Sequence, residues 1–211
     1  MNKAVHAAAH LAHHLDEASL RHIHYLLYYA QGCHLALHRE PLFDDPLETG
    51  PDGPMIRSIW PVRQRGRRLK TPWPDAETLN ESRRTLPRDA IEVLNSVAAV
   101  LGDWSAEALA ESIRRESPWL SARGDQPPEA HGSAALDPIS IRNIFEPVCL
   151  PSRRELARDE PSPAAWELYF HFEHIRAFTP ATIASEDAEA WFEALEAPPR
   201  DLPDLRKFLA S

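Results

Sequence analysis

Glycine and cysteine are scarce in this chain, and long apolar runs are missing. Seven Gly stand beside 20 Pro in 211 residues, where Pro ordinarily makes up roughly 5%, which points to short helices joined by stiff connectors. The two cysteines, Cys33 inside a predicted helix and Cys149 far along the chain, fit neither a metal spacing nor a disulfide framework. Both are expected as free thiols in a reducing cytoplasm. No apolar segment reaches the roughly 18 residues of a membrane helix, and residues 1–15 hold no signal-peptide run, so the expectation is a soluble, cytoplasmic protein with no membrane partner. Catalytic signatures are missing as well: there is no GxSxG, no GxxxxGK(S/T), no HExxH and no GxGxxG after a strand. The expectation is therefore a protein that is not an enzyme, with no cofactor and no metal.

What is present is ordinary folded-protein composition, 43% apolar and 26% charged. The stretch from Ser19 to Phe43 organises it. Ile23, Leu26, Leu27, Tyr28, Tyr29 and Ala30 are apolar on nearly every face, whereas a surface helix carries a single stripe, so a central buried helix is predicted over about 19–39. Ser19 is its N-cap, and Pro41 ends it near His38 to Arg39.

Around that helix the spacing predicts a mainly α fold. A short first helix covers Lys3–Leu15, and turn formers from Asp44 to Pro54 give a structured loop, with a short β-hairpin near 46–60 or a short helical turn at Met55–Trp60. Pro87 opens a helix through Leu101, with Gly102 ending it in left-handed geometry. Ser105 caps the next, with Leu109 and Ile113 inward, running into Ser117, Pro118 and Trp119 as a helix stop. Residues 123–138 read as a loop, and Ile139–Phe145 as a small helix. The boundary of the core is placed there: a helical domain over 1–146 and a helical C-terminal extension over 147–211. In that extension Ser162-Pro163 starts a helix carrying Trp166, Tyr169, Phe170, Phe172, Ile175 and Phe178, and Ser185 starts another with Trp191, Phe192 and Leu195.

Two clusters carry candidate chemistry. Eleven histidines, eight of them before residue 39, include His34 with His38 and His10 with His14 at i,i+4, and His171 with His174 at i,i+3. Such pairs can place two imidazoles on one helix face, yet a site needs three or four ligands, so a histidine-based metal enzyme ranks last. Arg57, Arg63, Arg65, Arg67, Arg68 and Lys70 form one basic island without an acid, in a chain of formal net charge −9. The overall charge disfavours general phosphate binding, while the island gives a local positive potential suited to an acidic protein surface or to nucleic acid.

Four landmarks in order resemble the Panacea antitoxin domain, the family of SocA-like and phage-associated proteins. They are Leu26, Leu27, Tyr28, Tyr29, Ala30, Gln31 and Gly32 on the central helix; Pro41, Leu42 and Phe43; Gly53 and Pro54; and Glu116, Ser117, Pro118 and Trp119, followed by the Ile-rich segment 139–145. The resemblance spans roughly 5–146 and marks a divergent member: Tyr25 replaces the family's lysine, Thr49-Gly50 its Ala-Trp, and Ile113-Arg114 its Thr-His. It implies a mainly helical module that binds a cognate toxin, the product of an adjacent gene, and neutralises it by contact, with a protease or its adaptor machinery as a further partner. Gly53, Pro54, Arg57, Arg63, Arg65, Arg67, Arg68 and Trp119 are the expected partner-binding residues. The alternative is a phage or mobile-element regulator that binds nucleic acid through 57–70.

Overall fold

The fold is that of a computed structural model, and it describes residues 3–15, 18–50, 52–59, 74–125, 134–150 and 161–178, with side chains described up to 174. It is mainly α, as the periodicity predicts. In chain order the described elements are α1 (Lys3–His14), α2 (Leu20–His38), β1 (Glu48–Thr49), β2 (Pro54–Met55), a 3-10 turn (Arg57–Ile59), α3 (Ala76–Thr85), α4 (Arg88–Leu101), α5 (Ala106–Ile113), α6 (Ser117–Arg123), α7 (Pro138–Cys149) and α8 (Pro163–Phe178). The chain divides into two compact units, 1–174 and 175–211, and only the first four residues of the second are described.

Helix α2 is the axle of the first unit. Residues His22 to Ala36 are all buried, which is why the segment lacks a polar back. It packs against α7, α4, α1, α5 and β2. Ser19 caps it by accepting the N–H of His22 at 3.1 Å. Its C-cap, Arg39, takes left-handed geometry at φ 65°, which an L-residue adopts at a cost of about 1–2 kcal/mol. The side chain of Arg39 pairs with Glu146 of α7.

The short hairpin is present as an antiparallel pair, Glu48 opposite Met55 and Thr49 opposite Pro54. Leu47 and Thr49 also bond the backbone of 134–136, with Thr49 N–H to Ala134 O at 2.8 Å and Leu136 N–H to Leu47 O at 2.7 Å. Residues 134–136 are thus stitched to the hairpin.

Three local expectations are corrected, and one helix was not expected. Gly102 ends α4 at φ −61°, in right-handed geometry; crowding selects glycine there, because a Cβ would lie 2.8 Å from the Leu15 side chain. Ser117-Pro118-Trp119 begins helix α6 rather than stopping one, with Pro118 in its first turn, where its missing N–H costs nothing. The Ile139 segment extends to Cys149 through Pro147. Helix α3 has no apolar periodicity to reveal it: Asp75 caps it by accepting the Thr78 N–H at 2.8 Å, and Ser82 is its one buried residue.

At the start of α8, Ser162 caps Ala165 at 3.3 Å. Ala164, Ala165, Leu168 and Tyr169 lie in the core, while Phe170 is 57% exposed. The Ser185 helix lies outside the described residues.

Candidate functional site

The sequence landmarks, far apart in the chain, interlock around α2. Gln31 reaches the exit segment: its Nε2 donates to Phe43 O at 3.1 Å, and its Oε1 accepts the N–H groups of Leu42 and Phe43 at 2.9 and 3.3 Å. Gly32 faces α7, where a Cβ would lie 2.3 Å from the Phe145 ring. Leu26, Leu27 and Ala30 fill the core, while Pro41 stays exposed.

Tyr28 joins the central helix to the fourth landmark. Its hydroxyl donates to the Glu116 carboxylate, as do the hydroxyls of Tyr29 at 3.2 Å and Ser162 at 2.5 Å. Glu116 is fully buried, and loss of water pushes its pKa up to about 7, against the pull of the three donors from Ser162, Tyr28 and Tyr29. The tyrosines rise well above their ordinary range, first by burial and then by the Glu116 charge. With its carboxylate turned inward, Glu116 gives α6 no side-chain cap. Residue order marks Glu116 only as part of a helix boundary, since its partners Tyr28, Tyr29 and Ser162 lie far away in the chain.

The Gly53-Pro54 turn is clamped onto the other side of α2. A Cβ on Gly53 would lie 2.3 Å from the Tyr25 ring, so only glycine permits that approach. The Tyr25 hydroxyl donates to Asp52 O at 3.0 Å and accepts from Arg21 Nε at 3.0 Å. Arg21 also pairs with Glu107 at 2.8 Å, and Arg114 donates to Glu107 at 3.3 Å and Asp52 O at 3.4 Å. Behind the hairpin, the N–H of Ile56 donates to Nδ1 of His24 at 3.1 Å, and burial lowers the His24 pKa to about 4, keeping it the neutral acceptor that this bond needs. Tyr25 and Arg114 therefore meet at the Asp52 carbonyl.

The other expected partner-binding residues are spread more widely. Pro54 is buried in β2. Arg57 is exposed, and its Nε donates to Glu48 at 2.6 Å. Trp119 is only 5% exposed and lies under the Arg123 guanidinium, 5.7 Å from its ring centre. Arg63, Arg65, Arg67, Arg68 and Lys70 lie outside the described residues.

Among the described residues, one group has the makings of a metal site. His34 and His38 at the end of α2 meet Asp89 of α4, with their ligand atoms within 4.8 Å of one another. Cys33 and Cys149 are free and buried, and no described helix is long and apolar enough to cross a membrane.

The family model described as Antitoxin SocA-like, Panacea domain, matches residues 25–120. It is the family to which the landmarks pointed, over a shorter stretch that begins at Tyr25 and ends just after Trp119. No curated protein and no solved structure matches the chain.

Proposed function

We propose that this chain is an antitoxin that acts by binding, without catalysis, and that it covers the active surface of a cognate toxin in the cytoplasm. The observation that carries this reading is the match of residues 25–120 to the SocA-like antitoxin domain. The interlocking of its landmarks supports it, since they build a rigid frame and leave a polar surface beside it. That surface is the Gly53-Pro54 turn with Asp52, Arg21, Glu107, Arg114 and Arg57, all exposed or half-exposed apart from the turn residues Gly53 and Pro54. Preorganised polar groups of both signs favour specificity and rapid encounter with a complementary protein. The basic island of the sequence continues after Arg57 with Arg63, Arg65, Arg67 and Arg68. Delivery of the bound toxin to a protease is a second step of the same proposal.

Co-expression with the product of the adjacent gene tests the binding step. The expected result is growth rescue and co-purification, both weakened by the double charge reversal Arg57→Glu, Arg114→Glu. A neighbouring product that is harmless alone and does not co-purify would sink the reading. Toxin half-life with and without this chain tests delivery, and an unchanged half-life leaves inhibition by contact alone.

A further inference from the structure

We propose that His34, His38 and Asp89 bind one borderline divalent transition-metal ion of the zinc class where the C-terminal end of α2 meets the first turn of α4. The histidine pair by itself is common on helices, and the third ligand comes only from the fold. The imidazole centres of His34 and His38 are 4.7 Å apart. Asp89 Oδ2 faces both, 3.6 Å from His34 Nε2 and 4.0 Å from His38 Nδ1.

The protonation pattern of His34 asks for a cation. Its Nδ1 lies 2.7 Å from the Glu40 carbonyl oxygen, which can only accept, so Nδ1 carries the hydrogen. The left-handed Arg39 turns the chain back so that this carbonyl reaches the ring. Nε2 then holds a lone pair. It is buried, on a side chain 5% exposed, and has no hydrogen-bond partner, because 3.6 Å is too long for one. A lone pair aimed at a carboxylate oxygen is repulsive unless a positive ion sits between them. A metal ion in that gap would take the Nε2 lone pair and the Asp89 oxygen together. A ligating imidazole whose other nitrogen donates to a backbone carbonyl is the usual arrangement at such centres.

The other ligands are also prepared. Asp89 Oδ1 accepts the Ala90 N–H at 2.9 Å, which fixes the carboxylate and leaves Oδ2 for the site. Metal–ligand bonds near 2.0–2.1 Å in a tetrahedron set ligand atoms about 3.3 Å apart, closer than the 3.6 and 4.0 Å from Asp89 to the two imidazoles and the 4.8 Å that bounds the group. His38 and Asp89 have side chains 36% and 41% exposed, and can close that gap. Two imidazoles and a carboxylate leave the fourth position to water, and the donor set suits zinc, cobalt or nickel rather than calcium or magnesium. This site stands apart from the antitoxin reading and survives or fails without it.

The test is a Co2+ titration of the EDTA-stripped full chain, followed by visible absorption and then by Zn2+ displacement. One equivalent of Co2+ with the ligand-field bands of a tetrahedral nitrogen–oxygen site is expected. His34→Ala would open a buried cavity, so the test rests on the half-exposed ligands. His38→Ala and Asp89→Asn should each weaken binding by at least about tenfold, with unchanged circular dichroism, while His13→Ala at an exposed position leaves it intact. Absence of stoichiometric uptake by the wild-type chain overturns the proposal. So does uptake that either ligand variant leaves unchanged, or that His13→Ala weakens equally.

Discussion

Glu116, Gln31 and Gly32 each do something at the residue scale that their neighbours cannot replace. Glu116 has a folded pKa of about 7 against an ordinary value of 4.5, so the folded state holds its proton more tightly than the unfolded chain does. Its contribution is complete below the unfolded pKa and is lost as pH rises through the folded one, at about 1.4 kcal/mol per pH unit over that window. Glu116→Gln keeps a polar group for the three hydroxyls and does not titrate. Urea unfolding from pH 5 to 8 should show the variant gaining on the wild type as pH rises, and parallel curves would contradict the assignment. Using the difference cancels the opposite trend of His24, whose lowered pKa of about 4 favours the fold as pH rises. Gln31→Leu conserves size but strands the Leu42 and Phe43 amides in the core, at a cost of about 2–4 kcal/mol by the same measurement. Gly32→Ala should cost about 1–3 kcal/mol, because Phe145 must give way, and Phe145→Leu in that background should return part of the loss.

At the scale of elements, the helices are joined by polar pins as well as by apolar packing. Ser162 caps α8 and at the same time donates to Glu116 at the start of α6, which itself receives Tyr28 of α2. Ser162→Ala should therefore remove about 1–2 kcal/mol of stability. It should also push the Glu116 pKa higher still, since the Ser162 bond is the largest of the effects that lower it. A pH–stability profile displaced to lower pH, or not displaced at all, would show that Ser162 is only a cap. Helix α3 is held in a similar way: Ser82 donates to Thr78 O at 2.7 Å and lies 3.1 Å from His6 Nδ1. The second of these is a polar pin between α1 and a helix whose one buried residue is Ser82.

For the whole molecule, the extent of the first unit decides what must be present for the fold. Ala164, Ala165 and Leu168 belong to its core, and the unit runs to His174. A chain ending at residue 174 should unfold cooperatively, whereas one ending at 160 should lose several kcal/mol, or fail to fold, through loss of that apolar burial and of the Glu116 donor. Thermal melts of the two truncations separate these outcomes. Indistinguishable melts would mean that the first half of α8 contributes little.

The central helix, the caps at Ser19, Ser105 and Ser162, and the family model that residues 25–120 match were all legible in the order of residues. Each depends on local chemistry: apolar periodicity, a side chain facing its own helix end, or short strings at fixed separations. Only the tertiary structure decided why those strings contain the residues they do. Gly32 answers to Phe145, Gly53 to Tyr25, Tyr28 to Glu116, and the histidine pair to Asp89, and each partner lies far away in sequence. Helix α3 was illegible for the same reason, since polar pins leave no periodic trace. Burial turns an ordinary glutamate into a group that titrates near neutrality, because it is set by how helices pack and not by what precedes or follows a residue in the chain.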